Sequence, residues 1–75
     1  MIVVSVRLFS NFQQGRGSVV NVKFPSSARV EDLLKELKID VAEVEVKVVQ
    51  DRSTTLRGKL KNGDSVTLIP AIGGG

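Results

Sequence analysis

Three residues near the end of the chain, Gly73, Gly74 and Gly75, combine a bare backbone with a terminal α-carboxylate. Glycine has no Cβ, so a stretch of it threads a channel too narrow for any side chain. A carboxylate on such a stalk is a group that another enzyme can reach and activate. The run Ser65-Val66-Thr67-Leu68-Ile69 has strand spacing and leads through Pro70-Ala71-Ile72 into the glycines. Six residues from Pro70 to Gly75 reach at most about 20 Å when extended. Pro70, which lacks an N–H, is expected to stop the strand and aim the tail away from the body. Set alone, the glycines read equally well as a disordered end or a cloning remnant; the elements preceding them decide the matter.

Other chemistry is excluded by composition. The chain has no His and no Cys, so Ser-His and Cys-His nucleophile pairs and the common zinc sites are ruled out. No glycine-rich loop of Walker or Rossmann spacing occurs, and no helix follows the closing glycines to present its N-terminus to a phosphate. An enzyme in its own right is not expected, nor any bound cofactor or metal. The net charge of +3 raises the question of nucleic acid. Its densest source, Arg52 to Lys61, has no interleaved aromatic to stack on bases, and reads as a solvated loop. No apolar run approaches the ~20 residues needed to span a membrane, and the first residues lack the basic start and long apolar segment of a signal peptide. The expected location is cytoplasmic.

The elements that position the tail can be read from apolar spacing. Seventy-five residues make one domain whose core rests on packing alone, with no disulfide to staple it. Val4, Val6 and Leu8 alternate with Ser5, Arg7 and Phe9, as Val20, Val22 and Phe24 do with Val19, Asn21 and Lys23; between them Gln13-Gln14-Gly15-Arg16-Gly17 is a turn, giving a hairpin. Val30, Leu33, Leu34 and Leu37 fall on one face of a helix spanning about Arg29 to Lys38, with Ser27 as its expected cap and charges placed as the macrodipole prefers. A third strand runs through Val44-Glu45-Val46-Lys47-Val48, a short one is expected near Thr54-Thr55-Leu56, and the last covers Ser65 to Ile69. Strict alternation would place Val46 and Val48 in the core with Val66 and Leu68. A hairpin, one helix and the remaining strands form an α+β, ubiquitin-like β-grasp: a mixed sheet of four to five strands with one main helix across it. The domain is assigned to residues 1–70 and a flexible diglycine tail to residues 71–75.

On Val6-Arg7-Leu8-Phe9-Ser10-Asn11-Phe12, Val30-Glu31-Asp32-Leu33-Leu34 with Leu37, Leu60 to Val66 and above all Ile69-Pro70-Ala71-Ile72-Gly73-Gly74-Gly75, the chain resembles the MoaD/ThiS family of ubiquitin-like sulfur carriers. The resemblance runs along essentially the whole length, and the long first strand ending in Leu8-Phe9 looks more like MoaD, the small subunit of molybdopterin synthase. Two departures stand out. Gln50-Asp51-Arg52 replaces the Asn-Gly turn of many relatives, and Gly73 a larger residue. The resemblance implies that an adenylating, ubiquitin-activating-like enzyme uses ATP on the Gly75 carboxylate, and that sulfur then replaces AMP to give a thiocarboxylate. This would deliver sulfur in molybdopterin, thiamine or tRNA pathways. The implied partners are that enzyme and the molybdopterin synthase large subunit or another acceptor, with no direct nucleic-acid or membrane contact. Alternation puts Phe9 and Ile69 on the face opposite the core, where they and Arg7 form the expected docking patch at the root of the tail. Two other readings share these residues: a modifier joined through Gly75 to lysines, and an interaction domain whose tail is inert.

Overall fold

The structure, a computed structural model, describes residues 1–71. The expectations for Gly73, Gly74 and Gly75, and for the tail beyond Ala71, lie outside the described residues. Among the described residues seven strands and one α-helix follow in chain order: β1 (Ile2–Leu8), β2 (Val19–Phe24), β3 (Ala28–Arg29), α1 (Val30–Leu37), β4 (Val44–Val49), β5 (Arg52–Ser53), β6 (Lys59–Leu60) and β7 (Ser65–Pro70). Five strands form one sheet in the order β2-β1-β7-β4-β5, and β3 pairs with β6 in a separate ribbon. β1 and β7 run parallel while the other pairs are antiparallel, so the sheet is mixed. This is the expected ubiquitin-like β-grasp.

The core lies between the sheet and α1. Val4, Val6, Leu8, Val66 and Leu68 come from the two central strands, and Val30, Leu33 and Leu34 from the helix; each is essentially sealed from solvent. Leu37, Val20 and Phe24 are half-buried at its margin. Phe12 is buried as well. It sits on a 3-10 turn, Ser10–Gln13, that follows β1 and packs against β7.

The helix begins differently from the sequence expectation. Ser27 does not cap it: Ala28 and Arg29 are drawn into the ribbon with Leu60 and Lys59, and Arg29 becomes the capping residue. Its backbone N–H donates to Asp32 Oδ2 at 2.8 Å. A guanidinium has no acceptor to return such a bond. The first helical N–H groups therefore turn to the loop before β6: Val30 donates to the Gly58 carbonyl and Glu31 to the Leu56 carbonyl, both at 2.9 Å. At the other end, Arg16 donates to the Leu37 carbonyl at 2.9 and 3.3 Å and to the Phe12 carbonyl at 3.0 Å. One cation thus satisfies a helix C-terminus and ties it to the turn beyond β1, as the macrodipole favours.

The short strand expected at Thr54-Thr55-Leu56 lies earlier, at Arg52–Ser53. Val49 pairs with Arg52, so Gln50 and Asp51 make a two-residue hairpin loop. Both have positive φ, 51° and 64°, as the twist of a type I′ turn requires. The Asn62-Gly63-Asp64 turn is fastened to β1. Asn62 Oδ1 accepts from the Val3 N–H at 2.9 Å, the Gly63 N–H donates to the Val3 carbonyl at 2.8 Å, and the Ser5 N–H donates to the Asp64 carbonyl at 3.0 Å. The Asp64 carboxylate closes the turn by accepting from the Lys61 N–H at 2.8 Å.

Candidate functional site

Everything near the tail is positioned by β7, which lies between β1 and β4 and brings the chain to Ala71. The expectation that Pro70 stops the strand is corrected. Pro70 is buried, is the last residue of β7, and pairs with Val44. The next N–H, of Ala71, donates to the Glu43 carbonyl at 2.7 Å. Successive N–H groups in a strand point to opposite sides, so the Pro70 nitrogen faces β1. Pairing between β1 and β7 has already ended there at Leu8 and Leu68. The proline removes no ladder bond and stays in the strand. The described chain is therefore tied to the sheet through Ala71, one residue further than expected.

Beside this root the outer face of the sheet carries the predicted docking residues. Arg7 is exposed and pairs with Thr67. Phe9 continues β1 in an extended conformation, φ −123° and ψ 154°. Its side chain follows the alternation to the outer face, where it is 39% exposed. Ile69 is half-buried on the same face. The structure thus brings Arg7, Phe9 and Ile69 together at one end of the sheet, beside Ala71.

A further part of this face went unforeseen. Val46 and Val48 do not point to the core as expected. A β-bulge between Val44 and Val46 inserts Glu45 without a partner on β7, so Val44 still opposes Pro70, but Val46 opposes Ile69 and Val48 opposes Thr67. The extra residue reverses the facing of the rest of the strand. Lys47 and Val49 take the inner side, opposite Leu68 and Val66, and Val46 and Val48 move outward. Val19, opposite Arg7 on β2, is 55% exposed on the outer face. Val19, Arg7, Thr67, Val48 and Ser53 therefore form one row across all five strands. Phe9, Ile69 and Val46 stand next to it, on the side of the tail. This is an apolar surface with one cation in it and the exposed Glu43 and Glu45 at its border. The one sign of the reversal in the sequence is Val49, which breaks the phase of Val44, Val46 and Val48.

Among the described residues no group of three or more His, Cys, Asp or Glu is placed to hold a metal. No helix of the described residues is long and apolar enough to cross a membrane. What the arrangement supplies is an apolar surface beside a strand end pinned by Ala71 to Glu43.

Comparison with known proteins agrees with this geometry. The sequence model of the ThiS family matches residues 6–75. The chain belongs to the ThiS family. No curated protein sequence matches it significantly. Among solved structures, a candidate molybdopterin converting factor subunit 1 from Pyrococcus furiosus superposes with a TM-score of 0.80 at 26% identity, over 96% of this chain and 100% of the other. Small archaeal modifier protein 1 from Haloferax volcanii gives a TM-score of 0.80 at 16% identity, with the same coverage of 96% and 100%. Subunit 1 in the protein–protein complex of subunits 1 and 2 of the molybdopterin-converting factor from Helicobacter pylori gives 0.61 at 23% identity, over 99% and 100%. The last two bear on the fold alone. The chain is thus a small β-grasp protein of the ThiS family.

Proposed function

We propose that this ThiS-family protein carries sulfur as a thiocarboxylate at Gly75. The observation that carries this reading is the course of β7: a central strand locked between β1 and β4, pinned by Ala71 to Glu43, and leading into four final residues that end in glycines. In the first step a Gly75 carboxylate oxygen attacks the α-phosphorus of ATP held by a partner adenylating enzyme. Pyrophosphate leaves, and a mixed anhydride with AMP forms. A donor persulfide then attacks the carbonyl carbon and expels AMP. A second thiol reduces the resulting acyl persulfide, becoming oxidised to a disulfide and freeing the thiocarboxylate. The chain supplies no catalytic group to these steps. Its outer face around Phe9, Ile69, Val46 and Arg7 holds the partner while the stalk enters the active site, and the bare glycines fit a channel that side chains would block.

The similarity to a candidate molybdopterin converting factor subunit 1 favours molybdopterin assembly as the destination, with a synthase large subunit as the second partner. Thiamine or tRNA thiolation uses the same thiocarboxylate. Joining Gly75 to lysines of other proteins would use the same adenylate, and the fold shared with a small archaeal modifier protein fits that second reading.

The test is ATP–pyrophosphate exchange with the host's adenylating enzyme. Deleting Gly74 and Gly75 withdraws the carboxylate by about 7 Å, far beyond what in-line attack tolerates, so exchange should vanish. Exchange at the full-length rate would sink both readings. Mass spectrometry of the native protein separates them: replacement of one oxygen by sulfur at the C-terminus marks a carrier, and Gly-Gly remnants on lysines of other proteins mark a modifier.

A further inference from the structure

The charge of the chain is unevenly placed. Five of its eleven cations, Arg29, Lys47, Arg52, Arg57 and Lys59, fall on the helix start, the inner side of β4 and the segment from β5 through β6. Only three of the eight acids, Glu31, Asp32 and Asp51, lie in or beside that region, so it carries two of the three net positive charges. The topology gathers these groups. Arg29 and Lys59 are direct partners in the β3–β6 ribbon, and the Arg29 guanidinium donates to the Arg57 carbonyl at 2.6 Å. Arg57 and Lys47 then line a shallow depression of about 450 Å³ together with Thr54, Thr55 and the half-buried Leu56.

The loop that carries this depression is held rigidly, because its carbonyls at Leu56 and Gly58 accept the first N–H groups of α1. A Cβ on Gly58 would strike the Thr54 hydroxyl and lie 3.2 Å from the Thr55 carbonyl, so the loop is closely wound. The depression opens on the opposite side of β4 from the outer face. Lys47 pairs with the core residue Leu68, whereas Val46 and Val48 pair with Ile69 and Thr67.

We infer that this depression is a second docking surface, for an acidic protein segment that seats an apolar side chain against Leu56, sets carboxylates against Lys47 and Arg57 on its lining, and extends to Lys59 on the adjoining β6. An apolar floor bordered by cations matches the anatomy of a protein interface, and the charge excess draws acidic partners by long-range attraction. RNA fits less well. All three aromatics, Phe9, Phe12 and Phe24, lie elsewhere in the fold, so no aromatic platform for stacked bases stands here. Because the two surfaces lie on opposite sides of β4, an acidic partner here leaves the tail-side face open to another protein.

The experiment is a titration of the full-length ¹⁵N-labelled protein with a capped peptide of glutamates around one leucine, with bulk tRNA in a parallel titration. The proposal expects peptide-induced shifts confined to the amides of Lys47, Thr54 to Arg57 and Lys59. Affinity should fall at least tenfold between about 20 and 200 mM salt, and at least tenfold in the double variant Arg57→Glu, Lys59→Glu, whose own spectrum should show an intact fold. Lys23→Glu, Lys35→Glu changes the net charge equally at exposed sites away from the depression and should bind within threefold of the parent. Absence of shifts, shifts centred on Phe9 and Ile69, equal loss in both double variants, or tighter binding of tRNA at the same amides would each overturn it. These readouts do not involve Gly75, so they stand or fall apart from the carrier reading.

Discussion

Val46 stands directly opposite Ile69 across the β4–β7 ladder, and it does so only because Glu45 is bulged out of that ladder. Removing the bulge would return Val46 and Val48 to the buried side and leave Ile69 beside a charged residue. The bulge thus builds the apolar side of the outer face, where docking is proposed, out of a strand that otherwise reads as core. Bulges placed to re-aim side chains at functional edges have this effect.

The first prediction tests that surface. Val46→Glu and Phe9→Glu should each weaken the complex with the adenylating enzyme at least tenfold by titration calorimetry, since an apolar contact is replaced by a charge that must be desolvated on docking. Both positions lie outside the core, so thermal melting should move by only a few degrees. Normal binding by both variants would place the docking face elsewhere.

Leu34 is fully buried between α1 and the sheet. Leu34→Ala should lower stability by about 2–5 kcal/mol, a large share of what a domain this small possesses. A urea unfolding curve that loses less than about 1 kcal/mol would show that the helix stripe is not what closes the core.

Asp51 adopts a φ of 64° in the hairpin loop after β4, where its Cβ is disfavoured. Asp51→Gly should raise stability by about 0.5–1 kcal/mol, the relief of the left-handed conformation being partly offset by the freedom glycine gains in the unfolded chain. The neighbouring Gln50 is not an equivalent target. Its side-chain carbonyl accepts from the Ser65 N–H at 2.7 Å, a bond that glycine there would remove. A denaturant midpoint unchanged or lowered in Asp51→Gly would contradict the turn assignment.

Arg16 donates to two main-chain carbonyls from separate elements. Arg16→Ala should destabilise by about 1–2 kcal/mol, the range for charge-assisted bonds reduced for partial exposure. Arg16→Lys should recover only part of this, because an ammonium cannot present the planar fork that reaches both carbonyls. Hydrogen exchange at the end of α1 should quicken in both variants, and more in the alanine variant.

The sequence patterns led to the right fold where one element's spacing sufficed. Val4, Val6 and Leu8, then Val66 and Leu68, alternate without interruption and are buried as their spacing requires, and the helix stripe through Leu34 needed nothing from the rest of the chain. The misplacements arose where a distant segment decides. Ser27 lost the capping role because Ala28 and Arg29 are held by Leu60 and Lys59, some thirty residues away. Pro70 stays in its strand because β1 has stopped pairing on that side. Val46 and Val48 were misplaced because a period of two continues through a bulge unseen. Phe12 carries no core signal of its own beyond the family pattern, because its burial depends on a 3-10 turn that has no apolar period. At the candidate site, Arg7, Phe9 and Ile69 were legible from alternation; the half contributed by β4 was not.

β1 and β7, the first and last strands of the described residues, are neighbours in the sheet, and a bond between Val3 and Asn62 joins residues 59 positions apart. Until β7 arrives, β1 has only β2 beside it, and the apolar stripe of α1 has half a sheet to cover. Folding must therefore wait for a long loop to close, and should be slow for a chain of this length. The same segment that completes the sheet also carries the chain to Ala71. Under the proposed carrier function, quality control would then be built into the order of the strands: an incompletely folded molecule would offer an activating enzyme neither the outer face nor a rooted strand end.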